Sequence, residues 1–266
     1  MAPETPMTNA LTAQKPHPVG SPEPGGGAAS ASSPLDLSVV VPCYQEAERI
    51  VGSIEAIHAE LDRRKELRWE IVAVDDGSTD GTAALVERTD PRVRVIRQPV
   101  NRGKGAAVRT GMLAAQGRLR LMTDADLATP IGELYRLVAA VEAGADIAIG
   151  RRTGPHSRVR HRQPWYRQTM GKTFNLVGRL MFNVRYQDTQ CGFKLFTGPA
   201  AEAVFGRTRI DRFAFDFECL LLARELGLKV AECYVLWNHV EGSRVRLFAD
   251  SASMFFSLLK LRLGLH

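Results

Sequence analysis

Cysteine is scarce in this chain of 266 residues, and the four present, Cys43, Cys191, Cys219 and Cys233, form no C-x-x-C pair. Thiols so scattered exclude a zinc knot and a disulfide framework, and they predict reduced side chains in a cytosolic compartment. The chain also lacks any run of about 18 apolar residues, so no spanning helix is expected. No basic start leads into the apolar stretch of a signal peptide. Large apolar side chains are nearly absent from residues 1–34, which hold half of the 14 prolines and the triplet Gly25 to Gly27. A segment that buries so little cannot offset its ordering entropy, and a disordered tail is expected there. Two nucleotide-binding signatures are missing too. The spacing G-x-x-x-x-G-K-[S/T] does not occur, and no G-x-G-x-x-G follows the first strand, which weakens NTPase and dinucleotide readings.

What remains is enough for one large globular domain: 45% of the residues are hydrophobic, and the formal charge of +6 favours an anionic partner. Order is expected from Leu35, where the β-branched run to Pro42 reads as a buried strand. Ile50, Ile54, Ile57 and Leu61 recur at helical spacing, and Glu70 to Val74 forms the next strand, completing a βαβ unit. Further strands are predicted at 93–96, 119–122 and 146–149, with helices over 104–115 and 131–143 and a late edge strand over 229–237. The fold class is therefore α/β, a single Rossmann-like domain over 35–247 around a mostly parallel sheet. Residues 248–266 read as an amphipathic helix, with Phe248, Ala252, Phe255, Phe256, Leu259 and Leu263 as its apolar stripe.

In such a sheet the ligand site lies beyond the carboxyl ends of the strands, where three strands end in distinctive polar groups. Tyr44 and Glu46 follow the first, Asp75 and Asp76 the second, Asp124 and Asp126 the fourth. If the last pair continues the strand, its carboxylates point the same way about 6–7 Å apart, two hard oxygen ligands suited to Mg²⁺ or Mn²⁺ and a substrate diphosphate. A carboxylate at Asp75 or Asp76 can accept from a base imide or a ribose hydroxyl, and Tyr44 can stack on a base. Asp80 reads as a helix N-cap, with Ser78 and Gly77 structural. In Asn101 to Gly105 the glycines permit a tight turn, and Arg102 or Lys104 can approach a diphosphate.

The succession V-V-V-P-C-Y-Q-E, V-D-D-G-S-T-D-G-T, N-R-G-K-G-A-A-V-R and D-A-D resembles the inverting family 2 glycosyltransferases of GT-A fold. Asp188 to Phe196, then Arg212 to Glu218 and Trp237, narrow the resemblance to the dolichyl-phosphate β-glucosyltransferases, with the mannosyltransferases that use GDP-mannose as cousins. It implies a UDP-glucose donor, a divalent metal on Asp124 and Asp126, a polyprenyl phosphate acceptor and a β-linked product. Pro42 joins the donor site by the same resemblance. There are two departures. Mannosyltransferase relatives often carry glutamine where this chain has Ala128, and the glucosyltransferase relatives are usually anchored by an N-terminal membrane helix where this chain has its Pro/Gly-rich stretch.

A lipid phosphate is already an anionic nucleophile, so the chemistry implied needs neutralised charge and in-line approach more than a strong base. Arg151, Arg152, Arg158, Arg160, Arg162 and Arg167 lie in a stretch without acidic residues, and guanidinium forks bind phosphate. Few aromatics interleave with them, which favours lipid phosphate and an anionic membrane surface over nucleic acid. Within the second half, Asp188 and Gln190 are expected to hold sugar hydroxyls. The resemblance implies that Asp216 and Glu218 lie near the acceptor, where one carboxylate acts as a base or orients an arginine; the other reading is a salt-bridged pair at a helix start. The expected enzyme is peripheral at the cytoplasmic face of a membrane. A non-catalytic nucleotide- or RNA-binding protein on a decayed transferase fold is the rival of another class.

Overall fold

A computed structural model describes residues 35–152, 173, 176–238, 240, 256 and 258–263. The expected tail over 1–34, and Arg158, Arg160, Arg162, Arg167, Phe248, Ala252 and Phe255, lie outside the described residues. Seven strands form one sheet: β1 (Leu37–Cys43), β2 (Trp69–Asp75), β3 (Val93–Arg97), β4 (Leu119–Met122), β5 (Ile147–Arg151), β6 (Lys194–Thr197) and β7 (Val230–Tyr234). Their spatial order is β3-β2-β1-β4-β6-β5-β7. All neighbours run parallel except β6, which is antiparallel to both β4 and β5.

Residue alternation along β1 sorts its side chains onto two faces. Leu37, Val39 and Val41 join one core cluster, and Val40 joins the other. The first face is covered by α1 (Ile50–Leu61), α2 (Thr82–Glu87) and α4 (Leu134–Glu142), through Ile54, Val86 and Leu137 among others. The second is covered by α3 (Lys104–Ala114), α5 (Gly198–Phe205) and α6 (Phe215–Glu225), through Met112, Phe205 and Phe215. Burial on both faces explains why β1 and β2 read as near-continuous β-branched runs.

The strand at 194–197 is not among those expected from the sequence. A run of four residues that begins with a lysine carries almost no pattern, yet Lys194 is 1% exposed. Being reversed, β6 enters the sheet at the end where the parallel strands finish, which puts the segment before it, 188–193, beside the segment after β4. A third, smaller cluster joins Phe182, Val184, Phe217 and Leu221 to Leu258 of a helical segment over 258–262. There Leu258 is fully buried while Leu259 and Leu263 are exposed, so the helix packs on the domain through a face other than its predicted stripe. Among the described residues no helix is long and apolar enough to cross a membrane.

Candidate active site

Four loops meet at the carboxyl edge of the sheet, and most of their polar groups serve to hold one another. After β1, the backbone N–H groups of Gln45, Glu46 and Ala47 donate to Ser78 Oγ (2.9 Å), Thr82 Oγ1 (2.9 Å) and Asp80 Oδ2 (3.0 Å). The D-G-S-T-D-G-T loop therefore clamps the P-C-Y-Q-E loop. Asp80 stands one position before the helix cap, which is Gly81, and its other oxygen accepts from Thr82 N at 3.0 Å. Tyr44 is left exposed at the end of β1, with Pro42 paired to Val74 beneath it. Glu46, expected at the donor, is engaged instead with Arg49 Nε at 2.9 Å, one helical turn away.

The two adjacent aspartates after β2 have opposite fates. Asp76, also expected at the donor, accepts from Arg102 N and Gly103 N, each at 2.8 Å. Both its oxygens are spent on shaping the turn, where Gly103 adopts φ +112° and a Cβ would strike Asp211 O at 2.6 Å. Burial pushes the Asp76 carboxyl up, and the two backbone donors only partly counter it. Asp75 is different. Its Oδ2 accepts weakly from Ser78 N at 3.3 Å, while its buried Oδ1 has no hydrogen-bond partner among the described residues. An unsatisfied buried acceptor costs about 1–3 kcal/mol until a donor reaches it.

Asp124 and Asp126 do not continue the strand as expected. β4 ends at Met122, and the pair lies in a turn in which Leu127 N donates to Asp124 O (3.1 Å) and Leu127 takes φ +47°. Ser53 Oγ, from α1, fixes the turn by donating to Ala125 O at 2.6 Å. Asp126 Oδ1 accepts from Ala128 N at 3.0 Å, and its other oxygen has no partner among the described residues. Asp124 pairs with Lys104 Nζ at the start of α3. Burial raises the Asp126 carboxyl and the charge of Asp124 adds to it, against opposition from Lys104 and Arg49. Burial works on Asp124 as well, but Lys104, Lys194 and Arg152 overcome it and hold that carboxyl below the ordinary range. The Lys104 ammonium is likewise disfavoured by burial, yet Asp124, Asp216 and Asp126 keep its pKa above that of a free lysine.

Segment 188–193 closes the site from the far side. A Cβ built on Gly192 would lie inside the Asp124 carboxylate, so this position is restricted to glycine by close approach. Asp188, expected to hold sugar hydroxyls, is given over to Arg152: Arg152 N, Nε and Nη2 reach its two oxygens at 2.9, 2.8 and 2.9 Å. Burial would raise Asp188, and Arg152 more than reverses it. Gln190 sits half-buried in the same turn. Asp216, expected either to act on the acceptor or to be salt-bridged at a helix start, lies in the first turn of α6, 5% exposed and ion-paired with Lys194, whose Nζ also donates to Cys191 O at 2.5 Å. It thus positions a cation behind Asp124. Glu218, two residues on, faces the other way and accepts from Arg209 N and Ile210 N. Lys194 is the site residue that sequence reasoning misses, and a lysine opening an apolar run is the one signal that could have marked it. Arg152, expected at a phosphate, is spent on Asp188. Arg151, at the end of β5, stacks over Tyr234 with its guanidinium carbon 4.9 Å from the ring centroid.

Burial holds the Cys43 thiol protonated and pushes Cys191 to about 11, so neither cysteine is a nucleophile at neutral pH. Among the described residues no three His, Cys, Asp or Glu side chains converge tightly enough to hold a metal by themselves. The donor set of Asp124 and Asp126, two carboxylates each with one oxygen unengaged among the described residues, fits Mg²⁺ or Mn²⁺ completed by water and substrate oxygens.

Residues 38–204 match the family described as glycosyl transferase family 2. A dolichyl-phosphate beta-glucosyltransferase of Trichomonas vaginalis is 36% identical over 227 residues, which are 81% of this chain and 67% of that protein. The protein so named in Drosophila melanogaster is 35% identical across 82% of this chain and 71% of its own length. That of Homo sapiens is 33% identical across 85% and 75%. Among solved structures, glucosyl-3-phosphoglycerate synthase from Mycobacterium tuberculosis, in complex with Mn²⁺, UDP-glucose and phosphoglyceric acid, superposes with a TM-score of 0.66 at 20% identity. The superposition covers 87% of this chain and 81% of that one, a likeness of fold. With the sheet, its single reversed strand and these sequence matches in agreement, the chain belongs to glycosyl transferase family 2, on the GT-A fold.

Proposed function

We propose that this glycosyltransferase moves glucose from UDP-glucose to a polyprenyl phosphate of the dolichyl type, with inversion at the anomeric carbon, to give a β-linked lipid-phosphate sugar. Relatives named for that acceptor and that sugar, at 33–36% identity, support the reading. The observation that carries the choice of donor is the orphaned Oδ1 of Asp75. Uracil presents one imide N–H to such an acceptor, whereas guanine presents two donors side by side, and Oδ2 is already occupied by Ser78. Tyr44, exposed one residue beyond Cys43, which pairs with Asp75, supplies a face for the base, and Pro42 shapes the strand end beneath it.

Asp124 and Asp126 would hold the divalent ion, which when bound screens the donor diphosphate and stabilises charge on the departing nucleotide. Lys104 sits where its ammonium can follow from Asp124 to a phosphate oxygen. Arg151 and Arg167 are assigned to the acceptor phosphate, neutralising it without blocking attack, because a phosphate monoester is already ionised at neutral pH. Gln190 is assigned to the sugar hydroxyls. The acceptor is insoluble in water, so the enzyme works peripherally at a membrane surface, on the cytoplasmic side where nucleotide sugars are available, and nucleic acid has no part in the reaction.

The test is a panel of nucleotide sugars offered with one short polyprenyl phosphate and Mg²⁺ or Mn²⁺. UDP-glucose should be the donor consumed, with a β-anomeric product by NMR and no turnover after chelation. Preferential use of GDP-mannose would overturn the donor assignment. Binding of nucleotide without transfer to any acceptor would favour the non-catalytic reading.

A further inference from the structure

Away from the carboxylates, on the opposite side of α6, lies a cavity of about 480 Å³. Arg207, Arg209, Arg224 and Arg262 line it, and Phe182 and Leu261 supply part of its apolar floor. Arg207 donates to Ala203 O at 2.8 Å and Arg224 to Phe182 O at 2.6 Å, both backbone carbonyls. Among the described residues none of the four guanidinium groups makes an ion pair. Two acidic residues share the wall, Glu218 and Glu225, and the Glu218 carboxylate is occupied by the backbone N–H groups of Arg209 and Ile210. Four cations around an apolar floor leave an unbalanced positive cavity, and guanidinium groups suit phosphate.

Two of the helical segments that contribute to this cavity also carry exposed leucines. Segment 176–182, which ends in Phe182, presents Leu176 and Leu180 one turn apart at 53% and 75% exposure. Segment 258–262, which supplies Leu261 and Arg262, is followed by Leu263 at 60% exposure, one turn from Leu259 at 37%. Exposed leucines on helical segments that also line a cationic cavity are the pattern of a surface that enters the head-group region of a bilayer. A nucleic acid would use the charge but leave the leucines exposed to water.

We propose that this cavity binds the phosphodiester head group of an anionic phospholipid, while the exposed leucines beside it enter the acyl boundary, so that the catalytic domain docks on the membrane through its own surface. The site is separate from the donor and acceptor machinery, and it stands whichever nucleotide sugar is used.

The full chain is mixed, without nucleotide or acceptor, with vesicles of phosphatidylcholine alone or with about one third phosphatidylglycerol, and flotation is measured. The wild type should float with the anionic vesicles only. The double variant R209A/R262A should lose about thirtyfold in partitioning, since each basic residue near such a surface contributes about a factor of five. Its melting temperature and its UDP-glucose affinity by calorimetry should match the wild type. Leu180→Ser with Leu263→Ser should weaken flotation while leaving the salt dependence that remains unchanged. Undiminished flotation of the arginine variant would overturn the proposal. So would tight binding of soluble glycerol phosphate by a wild type that ignores the vesicles, because that describes a small-anion site.

Discussion

Adjacent residues of the same type do different work here, and only their surroundings decide which. Asp75 keeps an oxygen open, whereas Asp76 is consumed by Arg102 N and Gly103 N. Neighbouring side chains at a strand end face opposite ways, so a sequence reading could place both at the site without telling them apart. Asp188 was opaque for another reason: its partner Arg152 lies 36 positions earlier and meets it only because β6 is reversed. Asp124 and Asp126 were legible as two candidate hard ligands close in sequence, though the turn that carries them was not. Asp126→Ala should leave less than a tenth of wild-type kcat with Mg²⁺ or Mn²⁺, a loss above ~1.4 kcal/mol, and should abolish calorimetric Mn²⁺ binding in the presence of UDP. Retention of both would separate Asp126 from the metal. Gly192→Ala should lower kcat/KM by about a hundredfold, the usual penalty of a misplacement near 1 Å, with little change in unfolding free energy. A stability loss with normal kinetics would mean the loop yields instead of Asp124.

The Asp188 pair also has a pH signature. The folded-state value lies below the ordinary carboxylate range, so the unfolded chain takes up the proton first on acidification. The stabilisation is therefore fully present above about pH 4 and disappears as pH falls through the folded value. Asp188→Asn should cost about 3 kcal/mol at neutral pH, since it leaves the Arg152 fork uncompensated. Urea denaturation should show the gap narrowing below about pH 4. A gap that stays constant with pH would assign the loss to packing.

At the level of elements, β1 and β2 were readable because buried parallel strands are written in β-branched runs, β4 as a short apolar run broken only by Arg120, and α1 because its isoleucines repeat at helical spacing. β6 was not readable, because its first residue is a lysine that only the finished fold makes reasonable. Lys194 on β6 and Asp216 in the first turn of α6 form a buried ion pair that ties helix to sheet. Removing one partner strands a charge in the core, so Lys194→Met should cost about 3–5 kcal/mol. Replacing both, as Lys194→Met with Asp216→Leu, should recover most of that in chemical denaturation, yet transfer should remain impaired because Asp124 has lost a neighbouring cation. If the double variant were as unstable as the single, the pair would be contributing through shape and not charge.

For the molecule as a whole, the C-terminal helix is part of the packing. Leu258 is fully buried against Phe182, Val184, Ala214, Phe217 and Leu221. Leu258→Ala should therefore cost about 2–5 kcal/mol, read as a lower melting temperature, while UDP-glucose affinity at a temperature below the transition stays near normal. A weaker nucleotide affinity in the still-folded variant would mean that the small third cluster reaches the donor site. Neither the buried face of this helix nor the cavity beside it was visible in the chain. The sequence pattern points to the opposite, exposed stripe, and four arginines from three separate segments converge only in space.

The reversed strand also sets a clock. β6 must slide between β4 and β5, both of which precede it in the chain, and its register pairs Thr197 with Leu119, a residue far earlier in the sequence. Closing such a loop is slow compared with assembling β1, β2 and β3, whose connections are short. Until it closes, Gly192 does not abut Asp124 and Lys194 has no place behind it. A newly made chain is therefore expected to acquire a recognisable sheet before it acquires a site.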